Sequence, residues 1–388
     1  MNIYEYIDKY GDYTFDEKEF NQVDKVIFSF LSYANLEKVF EDDLCLTIAE
    51  AGKQYLELHP GKDINIIAIK EGNKLLKYLR NKKRYMDCKL YNYEYIGNDE
   101  VQFGVVSIEY LPNQVFVSFE GTDSLFSGWR EDFILGYQFP TISQKLAIKY
   151  LNKHFTFKNK SLIVGGHSKG GNLALVASMY ANAMVRSKIV EIINADGPGL
   201  LDNEYKSVRY SYIKSKYTHI IPNYSLVGLF LNNSNNYVVS ATSKSILAHN
   251  IVYWEIDEDK FIKTKLSDFS QELDVSIKKW FSKYNKEDKQ NFINNLDYIL
   301  KEANVTSILD IKTKKRNLFN LISKSKDMNS HTKKVLTEFI MLIIKCFGNV
   351  KKEELKDFLS NMFKITSRTF QDLPFRKQND WFFKNQYL

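Results

Sequence analysis

The stretch Ser161-Leu-Ile-Val-Gly165-Gly166-His167-Ser168-Lys169-Gly170-Gly171-Asn172-Leu173-Ala174 decides how the rest of the chain is read. Its first five residues are a short apolar run of the kind a buried strand uses. Gly166 to Gly171 break that run, and residues 172–184 continue as a helix of small side chains. Within the break, Gly166-His-Ser-Lys-Gly170 has the spacing G-x-S-x-G. That spacing suits a serine on a sharp strand-to-helix turn, where the backbone is strained and neighbouring side chains have no room. The turn lifts the hydroxyl off the sheet. It also aims the first N–H groups of the helix at the same space, where developing negative charge can sit. Neither G-K-[ST] nor G-x-G-x-x-G accompanies it, so a phosphate-binding loop lacks its usual companions.

The flanking segments place this turn in a sheet. Upstream, residues 101–109 and 114–119 are rich in β-branched and aromatic side chains and read as a hairpin about Leu111-Pro-Asn-Gln114. A helix is expected over 143–155. Downstream, strands are expected at 189–193, 218–221, 237–240 and 251–256. Strands alternating with helices from about residue 114 to 256 predict an α/β fold with a mainly parallel sheet covered by helices. Residues 16–60 read as helical, with Phe20, Val23, Ile27, Phe28 and Leu31 at helical spacing and the pattern resuming over 42–58. The basic group Lys74, Lys77, Arg80, Lys82, Lys83 and Arg84 reads as an exposed helix end. Beyond residue 265 the strand signals stop. Helical spacing over 269–300, 308–321 and 333–363 predicts an all-helical region. The expected division is an α/β domain over 1–265 and a C-terminal helical region over 266–388 packed on it.

Composition narrows the partners. The 388 residues are 44% hydrophobic and 26% charged, which suits an ordinary core. Cys45, Cys88 and Cys346 are scattered and form no C-x-x-C pair, so neither a disulfide framework nor a structural zinc site is expected, and no cofactor motif is present. The first ten residues lack the basic and apolar blocks of a signal peptide. The late apolar run at 339–344 is too short to cross a bilayer. The expected compartment is therefore the reducing cytoplasm, with no transmembrane segment. Residues 1–265 hold 31 basic and 32 acidic side chains, and 266–388 hold 23 and 15. A moderate excess spread along helices reads as solvated faces, so no nucleic-acid partner is expected.

A serine nucleophile needs a base and an acid. In hydrolases of this kind the order along the chain is Ser, acid, His, with the histidine on a loop after a late strand. His249, in Leu247-Ala-His-Asn250, has that place; His219 falls inside an expected strand and reads as a core histidine. Asp196 follows the strand after the elbow helix, at the carboxyl edge where open α/β sheets build their sites. Asp202 is the alternative acid. The oxyanion donors expected are the backbone N–H of Lys169 and the turn at Thr122 and Asp123 after strand 114–119.

These residues resemble the Mbeg1-like family. The likeness rests on Gly165-Gly-His-Ser-Lys-Gly-Gly-Asn-Leu-Ala174, on Phe20-Asn-Gln-Val-Asp24 with Leu31-Ser-Tyr33, on Gly121-Thr-Asp-Ser124 with Gly128-Trp129 and Asp132, on Asp196-Gly-Pro-Gly199, on Ser225-Leu-Val-Gly228, and on His249 before Trp254. It covers most of residues 1–260. The resemblance implies a bacterial α/β-hydrolase-type fold related in plan to class 3 lipases, a site centred on Ser168, and support for His249 and the Thr122 region. Two positions depart from it. Glu120 stands where the family usually has arginine, and Ser225-Leu-Val-Gly228 offers no carboxylate where class 3 lipases carry their acid.

The expected function is a serine hydrolase, esterase- or lipase-like, that cleaves a small-molecule or lipid-like acyl ester or thioester through an acyl-enzyme, without cofactor or metal. The alternative is a binding or scaffold protein on the same fold.

Overall fold

The computed structural model describes residues 1–41, 45–60, 67–98, 101–122, 134–303, 317–318, 320–322 and 328–346. Its elements run α1 (Ile3–Tyr10), α2 (Gln22–Leu31), β1 (Cys45–Thr47), α3 (Ile48–Leu58), α4 (Ile67–Leu79), β2 (Lys89–Gly97), β3 (Gln102–Leu111), β4 (Gln114–Phe119), α5 (Ile142–Phe155), β5 (Ser161–His167), α6 (Lys169–Tyr180), α7 (Ala183–Lys188) and β6 (Ile189–Ala195). They continue with α8 (Asp202–Tyr205), α9 (Val208–Ile213), β7 (Tyr217–Pro222), β8 (Asn236–Val239), the two-residue strands β9 (Ile256–Asp257) and β10 (Lys260–Phe261), α10 (Asp268–Lys283), α11 (Lys286–Glu302) and α12 (Ser330–Cys346).

One sheet of eight strands has its strands in chain order, β1 to β8. β1 to β4 pair antiparallel. From β4 to β8 every pairing is parallel, with Phe119 opposite Gly166, His167 opposite Ala195, Ala195 opposite Ile220 and Pro222 opposite Val239. All five parallel strands therefore end at one edge. The fold is α/β, with the parallel half of the sheet buried on both faces. Phe116, Ile163, Ile193, Ile220 and Val239 pack toward Val23, Val26, Ile27 and Phe30 of α2. The alternate residues Val115, Val117, Phe119, Leu162, Val164 and Ile192 pack with Ala147, Tyr150 and Leu151 of α5 and Leu173 to Ala177 of α6. The period of two in β4 and β5 is thus filled by apolar residues on both sides, which is why those strands read as continuous apolar runs.

Small residues let the helices close on this sheet. A Cβ on Gly165 would lie 2.5 Å from the Phe116 ring and 3.0 Å from the Ser29 hydroxyl of α2. Beside it, the Ser118 hydroxyl donates to the Phe28 carbonyl at 2.6 Å.

The structure departs from the sequence reading in five places. Residues 45–47 and 89–97 are strands that the reading lacked. The segment 251–256 is not a strand before Ile256, which opens β9: residues 251–253 form a 3₁₀ turn that follows another at Ile246–His249, because the Asn250 side chain caps the second turn and the Trp254 indole donates to the Ala248 carbonyl at 2.8 Å. The elbow helix stops at Tyr180, and Asn182 caps a new one. Arg84 is not part of an exposed helix end; it is buried against Asp24, with Nη2 2.5 Å from one carboxylate oxygen and Nε 2.9 Å from the other.

The chain divides into two compact units, Met1–Asp274 and Val275–Leu388. In the second, Trp280 packs edge-on to Phe292, with ring centres 5.0 Å apart, and Phe292 lies 4.7 Å from Phe339. Lys283 and the Tyr284 hydroxyl both donate to the Glu338 carboxylate. The expected helix over 308–321 lies largely outside the described residues; of the one expected over 333–363, residues 333–346 are helical and the rest lie outside them. Among the described residues no helix is long and apolar enough to cross a membrane.

Candidate active site

Ser168 sits between β5 and α6 with φ 57° and ψ −133°. A non-glycine residue rarely adopts a positive φ, so the turn must be held from outside. Its backbone N–H donates to the Ala195 carbonyl at 2.9 Å, and Gly171 N–H returns to the Ser168 carbonyl at 2.9 Å. The glycines explain themselves by distance. A Cβ on Gly166 would lie 2.4 Å from Gly170, and one on Gly170 would lie 2.1 Å from the Phe119 carbonyl oxygen. The turn is that tight because β4, the elbow and the first turn of α6 share the same space. Ser168 is 5% exposed, and among the described residues its hydroxyl makes no hydrogen bond.

Asp196 follows β6 one strand away, also at positive φ. Its turn touches the elbow: a Cβ on Gly197 would lie 2.1 Å from the Ser168 carbonyl oxygen. Buried amides hold this turn. Gly197 N–H donates to Asn194 Oδ1 at 2.7 Å, and Asn172 Nδ2 donates to the Gly199 carbonyl at 2.7 Å. Asn172 is itself held by Gln144 of α5.

The Asp196 carboxylate is fully buried and has partners on both oxygens. Oδ2 accepts from His249 Nδ1 at 2.7 Å. Oδ1 accepts from the Ser225 hydroxyl at 2.5 Å and from Gly228 N–H at 3.1 Å. The loop after β7, which carries no acid, thus supplies hydrogen bonds to an acid from β6. A carboxylate only accepts, so Nδ1 of His249 carries the proton, and a neutral His249 has its lone pair on Nε2. The ring is partly open to solvent while the carboxylate is closed off.

His167, the residue before the serine, is buried and in contact with the base. Its ring centre lies 4.4 Å from that of His249. Nε2 is 2.8 Å from the His249 carbonyl oxygen, and Nδ1 is 3.0 Å from the Tyr33 hydroxyl. Burial, and next the neighbouring His249, push its pKa well below 6.5.

The structure brings Asp196 and His249 together beside the Ser168 turn; Ser168 and His249 make no direct hydrogen bond, which is common before a substrate seats. Asp202 is exposed and is paired instead with Lys206 at 3.1 Å and Asn232 at 2.9 Å. His219 is a core histidine, bonded to Asn236 at 2.8 Å and to the Gly197 carbonyl at 3.1 Å, and burial lowers its pKa. Lys169 opens α6, where the first N–H groups have no partner within the helix; its side chain turns inward and Nζ donates to the Gln102 carbonyl at 2.7 Å. Thr122 is half-buried at the end of β4. Asp123, Gly128, Trp129 and Asp132 lie outside the described residues. The sequence reading missed Ser225, Gly228, His167 and Tyr33 as site residues. A hydroxyl and a glycine in the loop after β7 were the available signal for the first two. Among the described residues no cluster of metal-binding side chains occurs.

This arrangement defines an α/β protein whose serine elbow, buried acid and histidine share the carboxyl edge of a parallel sheet. A family model described as Mbeg1-like matches residues 79–297, more than half of the chain, and the protein belongs to that family. No curated protein matches it. Among solved structures, the crystal structure of M37 lipase aligns at 14% identity with a TM-score of 0.33, covering 54% of this chain and 70% of that one.

Proposed function

We propose that the protein is a serine hydrolase acting on a carboxylic ester or thioester with a lipid-like or other small acyl group. Ser168 attacks the acyl carbonyl while His249 Nε2 accepts the hydroxyl proton. Asp196 steadies the imidazolium that forms. The Lys169 N–H and the Thr122 region face the oxyanion. Collapse expels the alcohol or thiol, which takes the proton back from His249. Water then enters by the same route and frees the acid.

The observation that carries this reading is the 2.7 Å contact between His249 Nδ1 and a fully buried Asp196 carboxylate. Enclosing a carboxylate costs several kcal/mol unless it is fully partnered. Here the contact orients an imidazole beside a strained serine turn. A fluorophosphonate probe should label the folded wild type at Ser168 and fail on Ser168→Ala. Labelling should drop sharply in His249→Ala. A folded wild type that resists the probe for hours, beside a labelled control hydrolase, would remove the reading in favour of a binding protein.

A further inference from the structure

We propose that His167 is a positioning residue for His249: a neutral imidazole that clamps the main chain of the base, with Tyr33 at its other ring nitrogen. The inference rests on the reading of His249 as the general base.

The argument begins with the atoms. The His249 carbonyl oxygen can only accept, so the contact at 2.8 Å requires the proton on His167 Nε2. Burial keeps the ring neutral, which leaves Nδ1 as an acceptor. The Tyr33 hydroxyl, 3.0 Å away, must then be the donor. The directions are forced along the line: Tyr33 Oη–H to His167 Nδ1, His167 Nε2–H to the His249 carbonyl, and His249 Nδ1–H to Asp196 Oδ2.

The clamp acts where the chain needs it. His249 ends a single 3₁₀ turn, a weak element held by few internal bonds. Two successive carbonyls of that turn are held by side-chain N–H donors, Ala248 by the Trp254 indole and His249 by His167. His167 also packs its ring against that of His249. Because His167 adjoins Ser168, one bond ties the base to the elbow itself. Movement of the serine turn and of the base is thereby coupled across 82 residues of sequence. Tyr33 closes the other end: its hydroxyl lies so close to Gly121 that a Cβ there would sit 1.9 Å away. The same side chain thus touches the start of the Thr122 segment.

The test uses the full chain labelled with ¹⁵N-histidine. In the wild type, the His167 ring should remain the neutral Nε2–H tautomer from pH 6 to 9, with a slowly exchanging ring proton. Tyr33→Phe, which removes the donor to Nδ1, should shift the Nδ1 signal while the proton stays on Nε2. In His167→Phe, folded by circular dichroism, the His249 ring signals should shift and broaden. Fluorophosphonate labelling of Ser168 should slow by about 10- to 100-fold, the size of effect expected when a reacting group is displaced by about 1 Å. His167→Gln, whose amide N–H can reach the same carbonyl, should restore both readouts; a purely space-filling role would not distinguish Gln from Phe in this direction. A His167 ring that titrates like a solvent-exposed histidine overturns the proposal. So does a His167→Phe variant with unchanged His249 signals. If the wild type resists the probe while the His249 signals respond to His167→Phe and recover in His167→Gln, the clamp stands and the hydrolase reading falls.

Discussion

Asp196 has an environment that a carboxylate tolerates only when every lone pair is used. His249, Ser225 and Gly228 meet that demand. Asp196→Asn keeps the shape but cannot stabilise an imidazolium, and its amide can force the wrong tautomer on His249. Probe labelling of Ser168 should fall by about 1,000-fold or more, with the melting temperature little changed. The same change at Asp202, which faces Lys206 and solvent, should leave labelling as it is; the reverse pattern would move the acid to Asp202. Gly170 argues differently. Its missing Cβ would strike a main-chain carbonyl, which cannot swing aside as a side chain could. Gly170→Ala should cost about 2–3 kcal/mol or more in urea unfolding. These requirements made the elbow legible in the sequence, since only glycine satisfies both contacts. The link from Tyr33 through His167 to His249 was not legible, because it joins residues 134 and 82 positions apart and no local spacing encodes it.

At the level of elements, legibility followed burial. β4, β5 and β6 lie in the middle of the sheet with apolar residues on both faces, and their sequences say so. β2 alternates less cleanly. Asn92 stands at positive φ, and the pairing with β3 shifts between Tyr91 and Glu94. β1 has three residues, too few to show a period. The segment after Asn250 has strand-like composition but is wound by a cap and an indole, both of which act through contacts. The helix start at Gln22 rests on a capping box of Asn21 and Asp24. The Asp24 carboxylate also receives the guanidinium of Arg84 and the hydroxyl of Tyr85 at 2.7 Å. Arg84 extends this to the main chain, donating to the carbonyls of Lys18 and Glu19 at 2.7 and 2.9 Å. Arg84→Met would leave Asp24 enclosed without its counter-charge. We expect a loss of about 3–5 kcal/mol by denaturant unfolding. A loss under 1 kcal/mol would mean that water reaches Asp24 once the guanidinium is gone.

The whole molecule carries two histidines that fold in the neutral form. Burial holds His167 well below 6.5 and His219 below it, whereas an unfolded chain protonates both near 6.5. Below that pH the unfolded state binds protons that the folded state does not. Stability is therefore full above about pH 6.5 and is lost as the pH falls, by at most about 1.4 kcal/mol per pH unit for each histidine until its folded-state pKa is reached. Urea unfolding at pH 7.5 and 5.5 should reveal the loss, and His167→Gln should reduce it. Equal stability at the two pH values would mean that these rings take up protons without unfolding. The parallel strands raise a further consequence, one of time. Each is laid beside its predecessor in chain order, so the sheet can grow at one edge as a ribosome delivers it. His249 lies 53 residues after Asp196. At about 5–20 residues per second it is made roughly 3–10 s later. Ser225 and Gly228 come only 29 and 32 residues after the aspartate. Ser225 and Gly228 thus leave the ribosome before His249, so a hydroxyl and an amide are available to the nascent acid ahead of its imidazole.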